Sequence, residues 1–558
     1  MKTKIFCLLA ALVCAIAMLA SCGGGKDPED PGTGGEGDYN WSKTTLIFEL
    51  SENSSQNELS SQVRRYYAGE YHGTGEDIDD MVEARNDLAE TTTNVEIMYD
   101  YTPDDTADYG WGANVERIHK LVISGAGKKP DMYCNFAYDL TCASIKGAFA
   151  NLCSSSTAGG KNYFRFTEDD YNPVGESFFD SEAGEGYFFD YMKSLSLSDD
   201  KLYCLASDYC TDLVRAFLVV PVNVNRINSI EVEESTGDLD ENGTFNLADF
   251  YELVWDGGFT YDNVAKLAEA VTADTNGNEE YDFGDQLGFA AGIGSGLTAS
   301  GLLYTTSVRI ISNTPHTNSK GETYNYSYPE DNETFGAFAT KLSDFFSKSG
   351  VVVVTSDEAK SVNPNYVSEL DGIRHQFAED HVLFGGVIAV GSLEDSVYQE
   401  MRDGDGFGIA PVPLYKAGDE YLTLVHNIAR IVAISKTTTH FDQCTAFLNY
   451  QSTHSSEVIN EYYTNRLANS VSFGEAGNDN VMMLTYIRNH VRDCFDKTYE
   501  DAISRYKVDD ETAMNNRWHM ILANNQYRVT NIRGQYKSLY GEKQGYLEDI
   551  IDEWNKLS

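Results

Sequence analysis

Past residue 22 the chain has no apolar run long enough to cross a bilayer, which takes roughly twenty residues. Nothing beyond the leader is therefore expected to enter a membrane. Positive charge is scarce: 41 Lys and Arg stand against 87 Asp and Glu, a formal charge of -46. A field of that sign repels nucleic acid and anionic headgroups, and polyanionic substrates with them. Neutral solutes and cations, Ca2+ included, remain compatible. Cys-x-x-Cys is missing, which weakens zinc and thioredoxin-like readings. So are His-Glu-x-x-His, a P-loop and Gly-x-Ser-x-Gly. Gly292-Ile-Gly-Ser-Gly296 is glycine-rich, but Leu297 breaks the dinucleotide spacing and the run reads as a loop. Carboxylate pairs arise by chance among 87 acidic residues and argue nothing for a glycosidase. There is no internal repeat.

The leader itself is informative. Lys2 and Lys4 precede an apolar run over residues 5–19, followed by Ala20, Ser21 and Cys22. A positive start, an apolar middle and a small-residue cleavage site make a secretory signal. Leu19-Ala-Ser-Cys22 resembles a bacterial lipobox. That resemblance implies cleavage before Cys22, diacylglycerol on its thiol and an acylated new N-terminus. Each buried CH2 of such chains contributes about 0.8 kcal/mol, so several make a stable anchor. Residues 23–40 hold Gly, Pro, Asp and Glu with almost nothing apolar. They read as a flexible tether with an average reach of roughly 25 Å.

Composition downstream is globular, with 42% hydrophobic and 23% charged residues. The length exceeds one ordinary core, so at least two lobes are expected. Cys134, Cys142, Cys153, Cys204, Cys210, Cys444 and Cys494 follow Cys22. Their odd number leaves at least one unpaired within a single chain. Cys204 and Cys210 are close enough in sequence to close a short loop; buried free thiols account for the count equally well. Aromatics make up 12%, with 36 Tyr, which suits sugar stacking but also ordinary packing.

Strand and helix signals alternate. Residues 45–50, 95–99, 129–133, 216–222, 351–354, 387–390, 407–412 and 431–434 read as strands. Helical spacing predicts helices over 77–90, around Val115, Ile118, His119 and Val122, over 264–271 with Thr260 as N-cap, around Phe335, Phe338, Leu342 and Phe345, and in two late stretches around Met483 to Val491 and Leu547 to Trp554. Strands spaced by helices argue α/β layers with mainly parallel pairing.

Several stretches, in order, carry a family resemblance. They are Tyr-Ala-Gly-Glu-Tyr at 67–71 with Ile-Asp-Asp at 78–80 and Ala-Arg-Asn at 84–86. Residues 127–133 with Gly-Ala-Phe-Ala-Asn-Leu at 147–152 come next, then Lys-Leu-Tyr at 201–203 with Asp208. Gly-Phe-Thr-Tyr-Asp at 258–262, Ala-Asp-Thr-Asn-Gly at 273–277 and Asp-Gln-Leu-Gly at 285–288 follow. Phe377, Ala378 and Phe384, Phe-Gly-Ile-Ala-Pro-Val-Pro at 407–413, and a helix over 441–451 complete the set. The ordered set resembles the extracellular solute-binding proteins of bacterial ABC importers, in the large carbohydrate-binding family that includes maltose-binding protein. Phe259 stands where the family usually has Trp, and the aromatic that often follows the strand at 389–390 is missing around Leu393.

The resemblance implies a two-lobed α/β fold of the type II periplasmic-binding-protein kind, with hinge strands and a central cleft. The expected division is 1–21 signal peptide, 22–42 acylated cysteine and tether, 43–217 first lobe, 218–428 second lobe, 429–455 return to the first lobe, and 456–558 second lobe with C-terminal helices. Crossings are expected near 215–222 and 426–434, with a third near Gln451. Family loops lining the cleft fall at the ends of the early strands and nominate Trp111, Tyr138, Asp139, Asp208 and Tyr209 as solute contacts, with His426 at the second crossing.

Two acidic loops have the oxygen spacing that wraps a hard cation. Asp238, Asp240, Asn242, Thr244, Asn246 and Asp249 stand at positions 1, 3, 5, 7, 9 and 12, with Gly243 at 6. Asp274, Asn276, Asn278, Glu280, Asp282 and Asp285 repeat the oxygens, with Gly277 displaced to position 4. A metal-free Asx-rich turn is the other reading of each. A Ca2+ ion in either would be structural, and no other cofactor is required.

The expectation is therefore a non-enzymatic, monomeric binding protein on the extracytoplasmic face of the membrane, at the cell surface or in the periplasm, held there by its lipid alone. Its partners are a small solute, foremost an oligosaccharide, and ABC transporter permease subunits; nucleic acid is excluded. Two other classes fit the same sequence, a secreted carbohydrate-active enzyme and a Ca2+-stiffened surface adhesion or scaffold lipoprotein.

Overall fold

The computed structural model describes residues 39–52, 62–70, 77–103, 113–124, 129–154, 156–157, 160–164, 166, 186–198, 200–231, 245–294, 296–401, 406–426, 429–467, 477–492, 494–506 and 516–557. The signal, Cys22, most of the tether, Trp111 and residues 238–244 lie outside the described residues.

Ten strands form two main sheets. In chain order they are β1 (Thr44–Glu52), β2 (Val95–Pro103), β3 (Met132–Phe136), β4 (Leu218–Asn223), β5 (Leu287–Gly292), β6 (Val351–Val354), β7 (Val382–Phe384), β8 (Ile388–Ala389), β9 (Phe407–Ala410) and β10 (Arg430–Ile434). The first sheet runs β10-β3-β1-β2. The second runs β6-β5-β7-β4-β8, with β9 also on β4. Each sheet has three parallel strands in the order second, first, third, followed by one antiparallel strand. In the first sheet that strand is β10, with Val432 opposite Cys134. In the second it is β4, with Val222 opposite Phe384.

This doubled order is the two-lobed type II periplasmic-binding-protein arrangement. The expected parallel pairing holds within each lobe and fails at its border. β4 and β10 are the strands by which the chain enters a lobe from the other one. They arrive from the opposite end, so their hydrogen-bond partners run against them.

Helices cover both sheets. The set used below is α1 (Asp77–Thr93), α2 (Ala113–Ser124), α3 (Ala137–Ile145), α4 (Thr211–Arg215), α5 (Leu247–Trp255), α6 (Tyr261–Val271), α7 (Leu297–Tyr304), α8 (Glu333–Phe345), α9 (Phe441–Thr453), α10 (Gly477–Asn489), α11 (Phe495–Tyr506), α12 (Trp518–Asn524) and α13 (Ile532–Asn555). Strands β3, β4, β5 and β10 are buried at every residue, as continuous apolar strands covered on both faces should be. α6 starts where expected, with the Thr260 side chain accepting from Asn263 N–H. Its close approach to β5 depends on Gly288, where a Cβ would fall inside Ala268. Gly288→Ala is expected to lower unfolding free energy by about 1–3 kcal/mol, the usual cost of overpacking, read from urea denaturation.

The chain passes between lobes three times. It leaves the first through α4 into β4. It returns beside itself, with Phe217 and Val425 bridged, Leu218 N–H donating to Leu424 O and His426 N–H to Ala216 O. The third passage comes later than Gln451. α9 packs on α1 in the first lobe, residues 456–461 still touch α1, and α10 next packs on β9 in the second lobe. The C-terminal helices belong to neither lobe alone. α11 packs on α3 of the first lobe and α7 of the second, and α13 on α3 and α8. Among the described residues no helix is long and apolar enough to cross a membrane.

Candidate functional site

In open α/β sheets ligands bind outside the carboxyl ends of the parallel strands. Here those ends are Glu52 of β1, Tyr101 to Pro103 of β2 and Phe136 of β3. A single turn of π-helix, Arg64–Ala68, carries the chain past them. Arg64 donates through Nε and Nη2 to both carboxylate oxygens of Glu52, at 2.7 and 3.0 Å, and through Nη1 to Glu70 at 3.0 Å. Its guanidinium lies 3.6 Å over the Tyr101 ring. Bonding to Glu52 raises its pKa above the ordinary arginine value. The Arg64, Glu52 and Glu70 side chains are 42%, 31% and 38% exposed. The rim therefore offers a half-open aromatic and carboxylate oxygens with lone pairs to spare, which is what a polyhydroxylated solute needs.

Beneath the rim the groups are buried. Arg65 pairs with Asp79 through two bonds of 2.6 and 2.9 Å. Tyr67 donates to Arg430 O. Arg85 donates to Asn86, Ser455 and Tyr66 O, tying α1 to the segment that follows α9.

The crossings share a second set of charges. Glu394 ends the short turn Val390–Glu394 after β8 and accepts from Arg215 Nε at 2.8 Å, Tyr462 OH at 2.8 Å and Arg466 Nε at 3.3 Å. Arg215 Nη1 donates to Asp212 at 2.7 Å, and the other Asp212 oxygen faces Arg430 Nη1 at 3.5 Å. Burial works against the charge on Glu394, yet Arg215 and Arg466 hold its carboxyl below the usual carboxylate value.

The described residues among those nominated by sequence as solute contacts fall in two places. Tyr138 and Asp139 open α3 and are fully enclosed, at 1% and 0% exposure, with Tyr138 stacked 5.7 Å from Phe136. Asp208, Tyr209 and His426 lie beside the crossings. Arg488 of α10 donates Nη2 to both Asp208 oxygens at 2.7 and 2.6 Å; burial nonetheless keeps that carboxyl above its ordinary value. Tyr209 is wholly buried among Phe48, Tyr67 and Phe447, with the Arg85 guanidinium 4.9 Å over its ring. His426 is half-buried, and burial, with Lys497 nearby, pushes its pKa down to about 3. The rim residues Arg64, Glu52 and Tyr101 are not among those that the sequence nominates. Their one sequence signal was the neighbouring stretch at 67–71, which contains Glu70.

Of the first acidic loop, Asn246 and Asp249 are described and form a reciprocal capping box at the start of α5. The second loop is closed by its own backbone. Asp274 accepts from Gly277 and Glu279 N–H, and Asp285 from Thr275, Asn276 and Asp282 N–H. Asp282 takes the side-chain amides of Asn276 and Asn278. Burial pushes Asp285 up, but its backbone bonds outweigh that and leave it low. Among the described residues no three His, Cys, Asp or Glu side chains group to hold a metal ion. The seven described cysteines are free thiols, all buried except the half-buried Cys153.

No family model and no curated protein sequence matches the chain. Solved structures do. The GacH receptor of Streptomyces glaucescens, solved with acarbose, is 11% identical over 90% of this chain and 99% of its own, with a TM-score of 0.44. The galacto-N-biose/lacto-N-biose I-binding protein of a Bifidobacterium longum ABC transporter is 10% identical over 92% and 98%, with a TM-score of 0.45. The cyclic α-maltosyl-1,6-maltose binding protein of Arthrobacter globiformis is 10% identical over 91% and 99%, with a TM-score of 0.47.

Proposed function

We propose that this protein captures a small solute, foremost an oligosaccharide, between its two lobes and delivers it to the permease of an ABC importer without chemical change. The observation that carries the reading is the sheet order repeated in two lobes joined by three passages of chain, a geometry suited to hinge closure. The lobes are taken as 43–217 with 429–455, and 218–428. Solute would meet the rim built from Glu52, Glu70 and Tyr101, with Trp111, which follows β2 in sequence, as a further contact. The strongly acidic chain favours a neutral solute. Cys22 would hold the protein outside the cytoplasm by its acyl chains, with residues 23–40 as the tether.

A thermal-shift screen of the soluble domain from about residue 38 against an oligosaccharide panel tests this. A true solute at 100 times its dissociation constant stabilises the native state by about 2.7 kcal/mol. One glycan is expected to raise Tm and to be recovered intact. Breakdown of the glycan would replace binding by catalysis. Tyr101→Ala is expected to weaken the binding of that glycan about 10- to 100-fold, the usual range for truncating a stacked aromatic at a binding site, measured by calorimetry.

A further inference from the structure

The charge network at the crossings joins all three passages of the chain, and its members come from both lobes. At its first-lobe end Arg430 donates Nε to Ser51 O at 3.0 Å, near the end of β1. Asp212 and Arg215 belong to the first passage, Arg430 to the second, Tyr462 and Arg466 to the third. Glu394 is the member supplied by the second lobe. Its turn follows β8, which pairs with β4. The turn sits directly on α4 because residue 391 is glycine: a Cβ there would stand 3.3 Å from both Cβ and O of Arg215. The Arg215 and Glu394 side chains are 4% and 3% exposed, and Arg466 20%. Tyr66 of the rim segment packs edge-on against Tyr462 at 5.9 Å and lies 5.4 Å under the Arg215 guanidinium.

We propose that Glu394 is the positioning residue of solute capture, the contact through which the second lobe is held at a set angle to the crossings. The inference rests on the solute-capture reading. Rotating one lobe about the crossings moves Glu394 against Arg215 and Arg466. A buried carboxylate parted from its guanidinium partners is costly, so intermediate angles are disfavoured and the network holds discrete arrangements, as coupling through packed elements requires. Without the Glu394 charge, Arg215 keeps Asp212, which also faces Arg430, and the ion pairs of Arg215 and Arg466 with Glu394 are lost. The same network reaches the rim through Tyr66, so the angle between the lobes and the placement of the solute contacts are set together.

The test uses the unliganded soluble domain, so failure to find a solute leaves it intact. Glu394→Gln keeps the side-chain volume and removes the charge. Hydrogen exchange at 211–218, 424–426, 429–430 and 462–467 is expected to accelerate about tenfold, as local opening allows. β1 and β5 are expected to keep their protection, and the distance distribution from small-angle scattering to broaden toward greater lobe separation. Crossings that exchange as in the parent protein overturn the proposal. So does equal acceleration of β1 and β5, because that is an ordinary loss of global stability. If Glu394→Gln does not fold, Tyr462→Phe removes the hydroxyl's bond to Glu394. The same local pattern at about threefold supports the proposal, and its absence or its spread into β1 and β5 overturns it.

Discussion

Asp501→Ala is expected to lower the unfolding free energy by about 3–5 kcal/mol, the cost of leaving buried cations without their partner. Asp501 sits in α11 at 1% exposure. It takes Arg517 Nη1 at 2.7 Å on one oxygen and Lys497 Nζ on the other. Burial alone would raise its pKa; Lys497 and Arg517 overrule that and hold the carboxyl far below the usual carboxylate value. The side chains of Lys497 and Arg517 are 4% and 11% exposed, so water cannot replace the lost charge. Because α11 lies against both α3 and α7, the loss should appear as a single cooperative shift in urea denaturation and not as detachment of one lobe. Asp501→Asn should cost less, since it keeps the volume and two polar atoms.

Acid is expected to destabilise the protein well above the carboxylate range. His519 is 2% exposed, and burial, with Lys497 and Arg517 close by, holds its pKa well below 6.5. His426, on the second crossing, is held to about 3 in the same way. A group whose folded pKa is depressed contributes stability that is complete above its unfolded value. That stability is lost as pH falls toward the folded value. The window therefore opens near pH 6.5 and extends toward pH 3, at up to about 1.4 kcal/mol per pH unit for each imidazole. His519 should carry most of it, since His426 is half-buried. Asp208, with its raised pKa, opposes the trend by gaining stability as it protonates. Asp501 adds to the trend only below the ordinary carboxylate value. Urea midpoints from pH 7 to pH 4 should fall steadily in the parent protein, and His519→Gln should flatten that slope. A flat profile in the parent would mean both rings find protonated states inside the fold.

Much of the architecture is legible in sequence because it follows from local pattern. The apolar runs at 218–223 and 430–434 announce buried strands, and Thr260 announces a helix start. What pattern cannot carry is direction: β4 and β10 read as strands, but their antiparallel pairing follows from where the chain comes from. α11 is harder still. Asp496, Lys497, Glu500, Asp501 and Ser504 make it look like a solvated helix, yet residues 495–504 are buried throughout. Their partners, Arg517, Lys543 and Tyr328 among them, lie at distances no helical period encodes. The site is read least well for the same reason. The sequence nominates Asp208 as a solute contact, and in the fold its carboxylate also takes Arg488, 280 residues on. Glu52 and Arg64 come together only because a turn of π-helix follows β1.

The most direct measurement of the account is small-angle scattering of the soluble domain with and without the glycan that raises its Tm. Closure of two lobes around a solute predicts a smaller radius of gyration and a narrower distance distribution when that glycan is bound. Binding that stabilises the protein while both quantities stay unchanged would contradict hinge capture and leave a rigid carbohydrate-binding surface in its place.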